Sequence, residues 1–136
     1  VIAPDSSVVI AALAPWHDAH QPARSALAGA EVRLPAHVAF EATSALSRMP
    51  EGRRIAAAVV FEALQRGFTE PWLAMDGDVL RKALHTAVDA GVRGGALYDA
   101  LIAATAAAHE AEVLSADQRA LPTYRAMGAV VRFIDA

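Results

Sequence analysis

The chain has 136 residues, a formal net charge of −3, no cysteine and 55% hydrophobic residues. That length supports one domain with its own apolar core, and the lack of cysteine excludes a disulfide framework or a thiolate zinc centre. The charge is far from the strong positive balance of many nucleic-acid binders. Eleven of the twelve basic residues are nevertheless arginine, the side chain suited to bidentate phosphate contacts, so a phosphate-bearing substrate stays open.

Hydrophobic periodicity predicts a strand over 1–4 running into a helix from Ser7 to Leu13, stopped by Pro15. A second helix is expected from Asp18 to Ala28, ended by Gly29, then a short strand over 31–34. Pro35 leads into a helix from Ala36 to Arg48 with the stripe Val38, Ala42, Ala45 and Met49, broken by Pro50. Another helix is read from Glu51-Gly52 to Arg66-Gly67, and Phe68 to Leu73 reads as an edge strand interrupted by Pro71. A helix capped by Asp76 runs to Ala90, and Gly91 to Gly95 is a flexible connection. The helix from Ala96 to His109 is apolar nearly all round and should be buried. Val113 to Ser115 is a strand, Gln118 to Met127 a helix and Ala129 to Ile134 a last strand.

This alternation predicts a parallel sheet covered by helices on both faces, in one domain over 1–136. The opening Val1-Ile2-Ala3-Pro4-Asp5 lacks the basic and long apolar regions of a secretory leader. Because the chain begins at valine, an initiating methionine and a few residues are expected to precede it. The most apolar stretch, 94–108, is too short for a bilayer and contains Asp99, so a cytoplasmic protein is expected.

Four acids stand in apolar or small-residue surroundings, where a carboxylate is costly without a compensating cation. Asp5 ends the run Val1-Ile2-Ala3-Pro4, Asp117 ends Val113-Leu114-Ser115-Ala116, Glu41 flanks a buried helical stripe, and Asp99 opens a greasy helix. Singly, each has a plainer explanation: Asp5 and Asp117 as helix caps, Asp99 as a charge matched to a helix dipole, Glu41 as a residue at the water boundary. Together they point to a hard oxygen site for Mg²⁺ or Mn²⁺. Ligands in such folds bind beyond the carboxyl ends of the strands, where Asp5 and Asp117 share one rim.

The segments Asp5-Ser6-Ser7-Val8-Val9-Ile10, Phe40-Glu41-Ala42-Thr43-Ser44, Tyr98-Asp99-Ala100-Leu101-Ile102 and Leu114-Ser115-Ala116-Asp117-Gln118-Arg119 resemble, in order, the successive motifs of PIN-domain ribonucleases, the VapC toxins above all. The tail from Leu121 to Gly128 is also similar. The resemblance implies a PIN-like three-layer α/β/α sandwich with a short, mainly parallel central sheet. It implies an Mg²⁺-dependent endoribonuclease, with Mn²⁺ able to substitute, that cuts single-stranded or loop RNA, works as a homodimer and is inhibited by a VapB-type antitoxin. By the same resemblance Asp5, Asp99 and Asp117 are metal ligands, Glu41 holds or bridges the metal, and Ser7 and Ser115 orient the acids. Pro4 is a departure, since a strand N–H is more usual before that aspartate; it is expected to shorten the first strand.

The remaining features are plainer. His17 and His20 lack a third nitrogen ligand and read as a surface loop; His37, His85 and His109 read as structural or solvent-facing. Arg93 and Arg119 are the favoured phosphate contacts among Arg53, Arg54, Arg81, Lys82, Arg93 and Arg119. Trp16 and Trp72 are read as packing or dimer contacts ahead of base stacking. Two rival readings are a phosphatase with an aspartate nucleophile, disfavoured by Ser7 in place of a second acid and by Lys82 as the sole lysine, and a catalytically silent PIN-like module binding RNA or protein.

Overall fold

The computed structural model describes residues 1–134; Asp135 and Ala136, the end of the expected 1–136 domain, lie outside them. Three short parallel strands, β1 (Ile2–Pro4), β2 (Glu112–Ser115) and β3 (Val131–Phe133), stand in the order β1-β2-β3, with Pro4 opposite Leu114 and Ser115 opposite Phe133. The helices are α1 (Ser6–Leu13), α2 (His20–Ala28), α3 (Ala36–Ser47), α4 (Ala57–Gly67), α5 (Gly77–Asp89), α6 (Ala96–Ala108) and α7 (Leu121–Ala126), the last entered through a 3₁₀ turn at Gln118–Ala120.

Strand pleating sorts the sheet's side chains into two layers. Ile2 and Leu114 point to one face and pack with Val8, Ala11 and Ala23 of α1 and α2. Ala3 and Val113 point to the other and pack with Ala103, Ala106 and Tyr124 of α6 and α7. A third cluster joins Val9, Val38, Leu46, Val60, Leu64 and Ile102, binding α1, α3, α4 and α6 beside the sheet. Both faces of β1 and of β2 beyond Glu112 are therefore dry, which is why these stretches read as apolar runs, whereas β3 exposes Arg132. The expected α/β/α sandwich is the architecture observed.

Pro4 stays within β1. Ile2 donates to Glu31 O (2.8 Å) and Asp5 donates to Leu114 O (2.9 Å), so alternate N–H groups face opposite sides. The N–H that Pro4 lacks would have pointed away from β2, toward the segment after Glu31, and its loss costs no bond in the central ladder.

Several boundaries differ from expectation. The helix read from Glu51-Gly52 starts only at Ala57: Gly52 takes φ +91°, a left-handed conformation that ends any helix, and the chain turns there before Ile55 N bonds Leu46 O at 3.0 Å. The strand over 31–34 is reduced to a bridge between Val32 and Ile2, and the edge strand over 68–73 to one between Leu73 and Pro35. The helix over 118–127 splits because Pro122 suits a first helical turn and not an interior. The second helix begins at His20, and the last strand spans Val131–Phe133. Asp76 caps α5 as expected, accepting from Val79 N at 3.0 Å. No helix among the described residues is long and apolar enough to cross a membrane.

Leu46 is fully buried at the junction of α3 with α1 and α4. Leu46→Ala should cost about 2–5 kcal/mol, read as a lower urea midpoint at unchanged slope, whereas truncating exposed Val88 should cost within about 0.5 kcal/mol.

Candidate active site

Strand parity continues past the sheet and places the first acid. Asp5 follows Ala3 on the α6/α7 face, and its extended backbone (ψ 178°) turns directly into α1. Its side chain is only 2% exposed and is fully engaged: Oδ1 accepts from the Ser7 hydroxyl and, at 3.2 Å, from Val8 N, while Oδ2 accepts from Tyr124 Oη at 2.6 Å. The capping role and the acid-site role thus coexist in one residue. With a single donor, Oδ2 keeps a lone-pair direction for a further partner.

Ser7 also joins the two strand ends, because its oxygen accepts from Ala116 N at 2.8 Å. The fully buried Ser115 accepts from Asp117 N at 3.0 Å through its hydroxyl and so fixes the backbone that carries Asp117. Ser7 thus bonds Asp5 directly, and Ser115 bonds the main chain of Asp117. Asp117 Oδ1 accepts from Arg119 N at 3.0 Å and lies 3.3 Å from Arg119 Nε.

α3 and α6 bring the other two acids. Burial and the Asp5 carboxylate raise the Glu41 carboxyl above the usual range. Asp99, in the first turn of α6, is pushed up to about 6, first by burial and then by Glu41, Asp5 and Asp117. All four acids therefore share one field. Burial and the same negative charge, led by Asp5, also raise the Tyr124 phenol, keeping it a donor. Tyr124 is the contact of Asp5 that the sequence did not reveal; its one signal there is a polar-tipped aromatic in an otherwise core-like position, which needs a buried partner.

His37 also departs from expectation. It is half-buried at the site, with Nε2 3.2 Å from Glu41 Oε1 and its ring stacked on Tyr98. Burial lowers its pKa, and neither Nε2 nor Oε1 has an aligned hydrogen-bond partner among the described residues. Other candidates lie apart. Arg93 is exposed in the α5–α6 turn, beside Pro122 and Thr123. Arg53 lies over the Trp16 ring at 5.2 Å, and Trp72 packs on the core. His17 accepts from Ala19 N and His20 lies 2.8 Å from Ala11 O, so both are committed to the loop.

The donor set fits a hard divalent cation: oxygen ligands, mutually repelling, one of them an orphaned Glu41 oxygen, and Asp5 and Asp99 without an ion pair among the described residues. Among those residues, however, no three or more His, Asp or Glu side chains are grouped so that they could hold an ion as they stand.

This architecture and rim of acids define a class. A family model for the PIN domain matches residues 2–125, and the chain belongs to that family. Within it, the chain is similar to the VapC branch: it is 39% identical to Ribonuclease VapC40 of Mycobacterium tuberculosis over 134 residues, covering 98% of this chain and 99% of that one. It is also 34% identical to Ribonuclease VapC27 of the same organism, covering 93% and 92%. The fold matches VapBC2 of Rickettsia felis, solved bound to a DNA fragment from their promoter, with TM-score 0.70, 13% identity and 98% of each chain covered.

The Asp99 shift carries a pH signature. A carboxyl raised from 3.8 to about 6 holds its proton more tightly folded than unfolded, so stability should fall as pH rises through that window and then level off. Thermal unfolding in EDTA should show this decline. Asp99→Asn should flatten it and melt higher than wild type at pH 7.5; an unchanged or lower melting point would refute the shared field.

Proposed function

We propose that the chain is a metal-dependent endoribonuclease of the VapC kind, hydrolysing phosphodiester bonds in single-stranded or loop RNA. The observation that carries this reading is the field of four carboxylates, three of them acting on Asp99, at the carboxyl ends of β1 and β2. Named ribonucleases among its relatives support it.

In this reading Asp5, Asp99 and Asp117 would hold Mg²⁺, or Mn²⁺ in its place, with Glu41 in support. The ion, when bound, offsets charge developing on the phosphodiester and lowers the pKa of water at the site. Ser7, Val8 N and Tyr124 all donate to Asp5 and hold its carboxylate in one orientation. Glu41 Oε1 is shut in against His37 Nε2, so any proton transfer with water at the site would fall to its other carboxylate oxygen. Lys82, the sole lysine, is exposed on α5, which leaves a phosphatase with Asp5 as nucleophile without its core cation.

A VapB-type antitoxin would inhibit by placing a basic side chain among the carboxylates, and the active species would be a cytoplasmic homodimer.

The test is cleavage of an end-labelled RNA pool by antitoxin-free protein. Discrete bands should appear with Mg²⁺ or Mn²⁺, vanish with EDTA and vanish in Asp5→Asn. Tyr124→Phe, which removes a partner of a ligand, should lose about 10- to 100-fold in metal affinity or rate. A folded protein that binds the ion yet cuts nothing would leave the binding-module reading in place.

A further inference from the structure

Beside the acids lies a cleft of about 360 Å³ whose far end serves none of the roles above. Its walls come from α1 (Ser6), α3 (His37, Phe40, Glu41) with its C-cap Arg48, and α6 (Tyr98). Glu41 belongs to both the cleft and the acid field, so the two are continuous. His37, Glu41 and Ser44 recur at spacings that put them on one face of α3, and Arg48 caps the helix at the end of that row. At about 1.5 Å of rise per residue, Arg48 stands roughly 10 Å along the axis from Glu41.

The aromatic residues here are not packed away. Phe40 is 75% exposed on a helix that buries Val38, Ala39, Ala42 and Leu46. Tyr98 is 56% exposed, and it is stacked on His37 with centroids 5.3 Å apart and planes 9° from parallel. Arg48 is exposed and has no ion-pair partner among the described residues. Open aromatic rings for bases and a guanidinium for phosphate are what a groove for single-stranded nucleic acid requires. The gradient from carboxylates to a free cation also gives the cleft a direction: an ion-compensated phosphate at one end, an arginine-bound phosphate at the other.

We infer that this cleft is a nucleotide subsite, in which Phe40 and Tyr98 hold the base of a nucleotide flanking the scissile bond and Arg48 takes its phosphate. The inference rests on the ribonuclease reading and deepens it, because it assigns substrate preference to residues outside the acids.

The test uses the intact chain, an RNA that it cuts, and versions of that RNA made abasic at each nucleotide beside the cut. Phe40→Ala should raise KM about tenfold with kcat held within about twofold, and should erase the abasic penalty on one flank only. Arg48→Gln should reduce the slope of log affinity against log salt by about 0.7. Both side chains are exposed, so the variants should melt with the wild type. Binding of the same oligonucleotides to Asp99→Asn, read by fluorescence anisotropy, separates the two levels: without any cleavage the ribonuclease reading fails, and this arm alone decides the subsite. Variants that fold and handle RNA as the wild type does overturn the inference. So does RNA binding that ignores Phe40 and Arg48 while a protein partner's binding needs them, and so does a lack of RNA binding altogether.

Discussion

The site depends on one buried carboxylate with its donors already in place. Asp5 caps α1, receives the hydroxyl of Ser7 from that helix and is closed over by Tyr124 from α7. A buried carboxylate without such donors would be neutralised or expelled. With them, the carboxylate at the end of β1 is held in one place, and Glu41, Asp99 and Asp117 are set around it. Ser7 extends the arrangement sideways by accepting from Ala116 N, so the ends of β1 and β2 are tied by a side chain as well as by the ladder.

The acid field and the fold are in tension, and the tension is local. Everywhere else, packing does what is usual: apolar strands between helical layers, alanine-rich α6 threaded through the middle, Leu46 and Leu64 at the seam of α3 with α4. At the rim the molecule holds like charges close enough to disturb one another's protonation. Such an arrangement is a cost to the fold alone, and it is the feature on which the proposed metal-dependent reading rests.

Much of this was legible in the sequence. Short apolar runs ending in aspartate marked both strands that carry acids, and periodicity found every helix, because these signals are local. Glu41 and Asp99 were readable as misplaced charges in apolar helical stretches. What escaped was non-local or conformational. Tyr124 is an ordinary core aromatic until its hydroxyl is seen to reach Asp5, and His37 looked incidental until Tyr98 of another helix was found lying on its ring. The late start of α4 turned on the backbone of Gly52, which propensity over the following residues masks. The strands over 31–34 and 68–73 shrank to single bridges, Val32 with Ile2 on one side and Pro35 with Leu73 on the other, and Pro4, Pro35 and Pro71 remove donors that longer ladders would need.

The bond between Tyr124 and Asp5 spans almost the entire chain, from the first turn after β1 to the last helix. Contacts of such separation form late, after the intervening loops have closed. During synthesis, the segment holding Asp5, Glu41 and Asp99 leaves the ribosome well before Tyr124 and before β2 supplies the neighbouring strand. A nascent or truncated chain therefore carries the acids without the geometry. Whatever chemistry this rim performs begins only once α7 has been made and has docked on Asp5.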